Sequence, residues 1–404
     1  METSLAAVRP RPTVVEELKQ TFFLPLFGRP WPIWAGAVAF AVANVLMAAY
    51  ARGLGVFPQI SMWGASLYNF VGIKTEAPFP PYPVTPVYLD IHSMINFGIV
   101  LGVLVAALLA REFKLRTDSL AGYGQGFLGG ILMGFGTVLT PPCNVGGFGT
   151  AIMALSFSGY LMAVGLLAGG YVGGRLLAWQ ASRAVAALDL KTMPRVTLPE
   201  ESRASRRQLW GLLVLSILLA VAAAYLVAGK PNFAVLLMFG ALFGVVFQRS
   251  RLCFASAFRD VFLTGETALL RWILVSLAIG MVGLSILKVN GLVAADHFVF
   301  PAGIHTVVGG FSFGIGMVLA GGCGVGILWR SAEGYVRHWF ALFGGMLAAG
   351  SWVHIYGAQV GKGWLYGPKI FLPDALGWGG ALAASAAALA VFYVFLTWME
   401  VRRR

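Results

Sequence analysis

An all-α polytopic membrane protein is the fold class this sequence predicts, and three observations predict it. Hydrophobic residues make up 58% of the 404-residue chain and charged residues 11%, with a mean hydropathy of +0.80. A water-soluble globule needs more polar surface than that. Apolar runs of the ~20 residues that cross a ~30 Å hydrocarbon core recur without an Asp, Glu, Lys or Arg, as in Trp31–Tyr50, Ile91–Ala110, Leu209–Ala228 and Ala375–Trp398. Between such runs lie apolar stretches too short to cross, whose length suits re-entrant or half-helical segments.

Taken in order, the leader 1–30 carries charges of both signs and no small-residue cleavage site, so it is expected to stay on the chain and in the cytoplasm. Within it, Thr13–Phe27 suits a helix lying on the membrane face as well as a plain polar tail. About ten transmembrane helices follow, at 31–50, 91–110, 120–140, 160–178, 209–228, 232–248, 270–287, 303–320, 338–356 and 375–398. Half-helices are expected at Gln59–Gly72, Asn144–Phe157, Cys253–Leu263 and Cys323–Trp329. The chain thus divides into a first repeat at 31–178, a basic cytoplasmic linker at 179–208, a second half at 209–398 and a basic cytoplasmic tail at 399–404.

The net charge of +13 would suggest nucleic acid in a soluble protein, but here it follows the positive-inside rule. With both termini cytoplasmic, every one of the 29 Lys and Arg falls on the inner side except Arg52, Lys74, Lys230, Lys288, Lys362 and Lys369. No nucleic-acid partner is expected; the surroundings are membrane lipid. The three cysteines form no Cys-x-x-Cys pair and cannot make a fully paired disulfide set, so they read as individual thiols.

The two halves resemble each other. GGILMGFGTVLTPPCNVG at 129–146 aligns without a gap on GGFSFGIGMVLAGGCGVG at 309–326, matching Cys143 with Cys323 and Gly146 with Gly326. After a slip, Gly159, Tyr160, Gly169 and Gly170 match Gly334, Tyr335, Gly344 and Gly345. The matched spans run in opposite directions across the membrane, so the prediction is two five-span halves related as inverted-topology repeats. That architecture places a site of broken helices at the repeat interface near the midplane, and it favours transport.

Cys143 and Cys323 each stand between a glycine-bearing span and a short apolar segment. Glycine permits tight turns and Pro141 and Pro142 remove amide donors, so a helix ends there and a short one begins. The amides at its start, with the positive end of its dipole, make an anion site without a fixed charge. A thiol adds a weak, soft donor, mostly neutral at pH 7, suited to a polarisable sulfur-bearing ligand. A single buried cysteine is more often only a small hydrophobe; the matched pair is what favours function. Cys253 lies beside Arg249, Arg251, Arg259 and Asp260, where an adjacent Arg and Asp either pair structurally or supply charge at an inner mouth. The same two readings apply to Arg330 and Glu333. The five histidines are scattered, so no metal site is expected, and no Walker motif, dinucleotide fingerprint or serine elbow appears, so neither a cofactor nor an enzyme is expected.

These residues resemble the YeeE/YedE-type sulfur transporters, which include thiosulfate transporters and proposed selenium transporters. The matches are Ser256-Ala257-Phe258-Arg259-Asp260 after Cys253, GIGMVLAGGCGVG with Arg330 and Glu333-Gly334, and GFGTVLTPPCN at 134–144. The length and the basic loop near 180–208 resemble the YedE branch, and the likeness spans most of the chain. The resemblance implies a bacterial inner-membrane importer of a small sulfur oxyanion, in which Cys143, Cys253 and Cys323 hand the anion inward through S–H to sulfur hydrogen bonds. Cys143 stands toward the outside in that reading. Asn144 and the amides of Gly146, Gly322 and Gly324 assist as donors. The chain departs from the family at Pro141-Pro142, where glycine is common, and at 57–69, where the counterpart of Cys253 would fall and no cysteine occurs.

The function expected is import of thiosulfate or a related sulfur or selenium anion by a non-covalent thiol relay. A cytoplasmic sulfurtransferase or a small thiol-carrying protein would draw transport by consuming the anion. Two other classes compete: a membrane sulfurtransferase forming a cysteine persulfide, and a structural membrane subunit of a redox complex.

Overall fold

The structure, a computed structural model, describes residues 26–73, 86–140, 143–186, 203–360 and 367–403. The leader segment Thr13–Phe27 up to residue 25, most of the linker and Pro141-Pro142 lie outside the described residues, so their expectations are untouched. The described chain is helical: α1 (Ile33–Tyr50), α2 (Phe57–Phe70), α3 (Ser93–Leu109), α4 (Leu120–Leu139), α5 (Asn144–Met153), α6 (Phe157–Ala186) and α7 (Arg203–Val227). Then come α8 (Pro231–Ser250), α9 (Phe254–Leu263), α10 (Ala268–Val289), α11 (Ile304–Ala320), α12 (Gly324–Ala332), α13 (Val336–Val360) and α14 (Leu372–Arg403). Among the described residues, seven helical segments are long and apolar enough to cross a membrane, or eight if the bent pair α4–α5 is one span. α3 is a shorter apolar helix, and α13 runs for 25 residues.

Each expected span has its helix, and the four expected half-helices are α2, α5, α9 and α12. α6 and α14 run past the expected span ends to Ala186 and Arg403, so the basic tail begins as a continuation of α14 rather than as a separate segment. Their ends carry Arg183, Arg402 and Arg403, long side chains that suit the last turn of a helix and reach the membrane surface.

Helix packing follows an exchange between the halves. α4 packs on α13 as α11 packs on α6; α3 packs on α8 as α10 packs on α1; α2 packs on α13 as α9 packs on α6. The pairs α4–α11 and α1–α8 map onto themselves. This matches α1–α6 with α8–α13 and leaves α7 and α14 outside the exchange. Each half therefore has four matched crossings, and the fifth on each side is an added, lipid-facing helix rich in exposed Leu, Val and Phe.

The repeated glycines explain the central crossing. A methyl on Gly129 would stand 2.5 Å from Ala320 N, and one on Gly136 would stand 2.6 Å from Gly309 O; Gly316 meets Gly129 O at 2.6 Å in return. Lipid offers no hydrophobic drive between helices, so backbones held this close supply the packing that holds α4 to α11.

The chain breaks between α1 and α2, α4 and α5, α8 and α9, and α11 and α12, with α2, α5, α9 and α12 starting afresh after the break. One end of the bundle gathers Glu112, Arg249, Arg251, Glu333 and Arg337; the other gathers Arg52, Asp90, Lys288 and His297. The first is called the basic end here.

Candidate functional site

The residue before each new half-helix is Val56, Cys143, Cys253 or Cys323. All three thiols are thus N-caps, with extended backbone at φ −115°, −130° and −77°. Val56 occupies the position that the exchange matches with Cys253, so the missing fourth thiol has an apolar side chain in its place. The three sulfur-bearing residues are buried, Cys143 completely.

Local bonding fixes one of the thiols. Cys323 Sγ accepts the Gly326 amide at 3.3 Å, a cap made by sulfur. The Cys253 sulfur lies beside the first turn of α12, close to the Cys323 thiol. The first turn of α12 joins all three. A methyl on Gly324 would stand 3.7 Å from Cys143 Cβ and 3.8 Å from its Sγ; one on Gly326 would stand 3.3 Å from Cys323 Sγ and 3.8 Å from Cys253 Sγ. With glycine at 324 and 326, no side chain of that turn stands against these sulfurs.

Asn144 follows Cys143 at the start of α5, is fully buried, and neither its Oδ1 nor its Nδ2 has a hydrogen-bond partner among the described residues. A buried amide left unpaired costs about 1–3 kcal/mol, so this position is suited to a ligand or water that completes it. Gly146 is buried in the same segment, where its carbonyl accepts the Ala151 amide. Gly322 lies between the thiols and the basic end: a methyl on it would meet the Gly326 carbonyl carbon at 3.0 Å and the His338 ring at 3.2 Å. Aromatic rings wall the region, with Phe57 against Phe313 and Phe148 against both Phe254 and Phe258.

Of the four charged residues singled out in the sequence, three are held in ion pairs. Asp260 takes Arg259 Nε at 2.7 Å, and Glu333, 1% exposed, receives Arg251 Nη1 at 2.8 and 3.0 Å on its two oxygens. Glu333 also accepts Gln248 Nε2 at 3.0 Å, while Glu112 binds Gln248, Arg249 and Arg251. Burial pushes the Glu333 carboxyl above its ordinary range, with Arg251 opposing. This cluster ties the α8–α9 break to the end of α12 and to the α3–α4 loop, which is the structural reading for Asp260 and Glu333. Arg259, paired with Asp260, and Arg330, in no ion pair among the described residues, line a cavity of about 310 Å³ together with Arg116, Asp118, Arg337 and His338.

Sequence reasoning did not find Gly326, Phe57, Arg116, Arg337 or His338. The glycine pattern pointed to α12, but which glycine faces which thiol depends on the helix's rotation. Among the described residues, no three His, Cys, Asp or Glu side chains gather to hold a metal ion.

A family model described as sulphur transport matches residues 3–172 and 249–404. The probable transporter YedE of Escherichia coli strain K12 is 29% identical over 337 residues, covering 80% of this chain and 82% of that protein. The Salmonella typhimurium protein of the same name is 30% identical over 336 residues, with the same coverage. The thiosulfate transporter TsuA of Spirochaeta thermophila is 43% identical over 111 residues, 27% of this chain and 33% of that protein.

Proposed function

The chain belongs to the sulphur transport family, and on that premise we propose that it carries thiosulfate or a related small sulfur- or selenium-containing anion across the membrane, past Cys143, Cys253 and Cys323. It is a transporter of sulfur compounds and not an enzyme; its movement of the anion from thiol to thiol, without covalent bonding, is the finer reading. The observation that carries it is the placement of all three thiols at half-helix N-termini around the first turn of α12, beside the unpartnered Asn144.

The physical argument concerns hydration. A dianion entering an apolar interior loses solvation worth tens of kcal/mol, and a fixed cation in the path would hold it too tightly to release. Amides at helix starts, each N-terminus bearing roughly half a positive charge, replace part of that hydration without a full charge. Neutral thiols add weak donors that a soft sulfur atom accepts and leaves readily. Three such stations close together let one hydrogen bond form as another breaks.

In this reading the basic end faces the cytoplasm, as the positive-inside rule requires, in a bacterial inner membrane, with both termini inside. Cys143 meets the incoming anion first, and a cytoplasmic sulfurtransferase or small thiol carrier consumes it. The test is uptake of radiolabelled thiosulfate into proteoliposomes by the wild type, Cys143→Ala and Cys323→Ala. Loss of uptake in both variants at unchanged thermal stability is expected; uptake equal to wild type in both overturns the relay.

A further inference from the structure

We infer that the cavity at the basic end is a second anion site, lying after the thiols on the inward route, for a compact tetrahedral oxyanion of charge two. This rests on the inward direction proposed above. The cavity, about 310 Å³, has four arginines and one aspartate among its lining residues, drawn from the α3–α4 loop, α9, α12 and α13.

The arginines are not equally committed. Arg116 spends its N–H groups on the carbonyls of Lys114, Glu112 and Glu333, and Arg259 is paired with Asp260. Arg337 donates to Leu319 O at 2.5 Å and Gln125 Oε1 at 3.1 Å, with Asp118 farther at 3.4 Å. Arg330 has no ion pair among the described residues. It is held over the Trp329 ring at 4.9 Å and the Tyr335 ring at 6.0 Å, and its Nε is buried without a partner. His338, 4% exposed, also leaves its Nδ1 unpartnered while Nε2 faces Gly321 O at 3.3 Å. A guanidinium fixed by two aromatic faces keeps its fork of donors free for a planar or tetrahedral oxyanion.

Topogenic charge alone does not account for this. It requires only that arginines stand on the inner side, not that several converge, partly buried, on one cavity. The repeat sharpens the point: extending the match from Cys143 and from Tyr160 places Thr150, Met162 and Ala163 where the second half has Arg330, Arg337 and His338. The charge was therefore set at one end of a two-fold design. At ~30 Å³ per water the cavity holds about ten, enough for an oxyanion with part of its hydration shell. Gly321 lines the cavity two residues before Cys323, so the cavity and that thiol are close in sequence. The ligand is either the transported anion after it leaves Cys323 or an oxyanion from the inner solution, since both carry the same chemistry.

Equilibrium binding of radiolabelled sulfate to the full chain in nanodiscs at low salt tests the site. Sulfate is expected to bind wild type and Cys143→Ala alike, to bind Arg330→Gln roughly tenfold more weakly or worse, and to recover in part with Arg330→Lys. If Arg330→Gln does not fold, Arg259→Gln takes its place. Displacement by phosphate as readily as by thiosulfate supports the site and assigns it to solution oxyanions; displacement by thiosulfate alone supports it and assigns it to the transported anion. No binding by wild type, binding indifferent to the arginine variants, or binding lost in Cys143→Ala overturns it. Uptake by the cysteine variants is measured separately, so the relay and this site fail independently.

Discussion

Gly324→Ala probes the route without removing a thiol. The added methyl would stand 3.1 Å from Phe57 Cδ2, 3.7 Å from Cys143 Cβ and 3.8 Å from Cys143 Sγ. The Phe57 distance is short of ordinary carbon contact by about half an ångström, which a ring edge absorbs by a small tilt. Relief of glycine's entropy in a helix, up to ~1 kcal/mol, offsets part of the ~1–3 kcal/mol that overpacking costs, so stability is expected to change by no more than about 2 kcal/mol. The methyl also occupies the space from which an anion would accept the Cys143 S–H. Losing one hydrogen bond to a charged acceptor costs about 1.5–3 kcal/mol, or roughly 10- to 150-fold in rate if that station limits transport. The assay is initial thiosulfate uptake in proteoliposomes, read beside the thermal midpoint of the same preparation. Uptake within twofold of wild type, with the midpoint unchanged, refutes the placement of the route along α12's first turn.

Three further outcomes test the frame around the route. Glu333→Gln removes the carboxylate that holds Arg251 and Gln248; because Arg251 is 42% exposed, the loss is expected toward the low end for a broken pair, about 1–3 kcal/mol, and differential scanning calorimetry reads it. Gly64→Ala drives a methyl to 2.0 Å from the Met346 carbonyl oxygen, so α2 and α13 must part and folded yield must fall, whereas Gly379→Ala, with nothing within 4 Å, leaves yield unchanged; gel filtration compares them. His297 is held at about 4 by burial, Lys288 and Arg52 against Asp296, and its neutral Nε2 accepts the Gly53 amide at 3.2 Å. Between about 6.5 and about 4 the unfolded chain takes up a proton that the folded chain refuses, so stability is lost as pH falls through that window. His92, also lowered to about 4, adds a parallel slope, so His297→Gln is expected to remove only part of it in acid-side thermal melts.

The spans and half-helices were legible because each is a local property: enough apolar residues to cross, or too few, with glycine or proline marking the stop. The inverted pairing was legible from one rare residue, cysteine, at matched breaks amid common glycines. The basic cavity was not legible, because Arg116, Arg259, Arg330 and Arg337 come from segments far apart in the chain and each one alone reads as an inner-side charge. The ion cluster around Glu333 escaped for the same reason: Glu112, Arg249, Arg251 and Glu333 meet only once α8 is broken and α12 is packed against it. Arg251 occupies a left-handed conformation, φ 56°, at that break, a strain that no spacing rule announces.

The exchange of helices between the halves and the one-sided charge bear on each other. A two-fold design alone gives a symmetric route, with Cys143 and Cys323 in equivalent places and equal passage in both directions. A bias in where the anion rests then has to come from what breaks the symmetry. Two departures do so: Val56 stands opposite Cys253, which leaves one more thiol toward the basic end than away from it, and the arginines stand where their counterparts are Thr150, Met162 and Ala163. Both departures lower the energy of an anion on the basic side. A passive route cannot change the equilibrium distribution of its substrate, so this asymmetry does not drive accumulation. It shifts occupancy toward the basic end, raising the fraction of time an anion waits where an inner acceptor can take it. In the proposed function, consumption by an inner acceptor then sets the net direction.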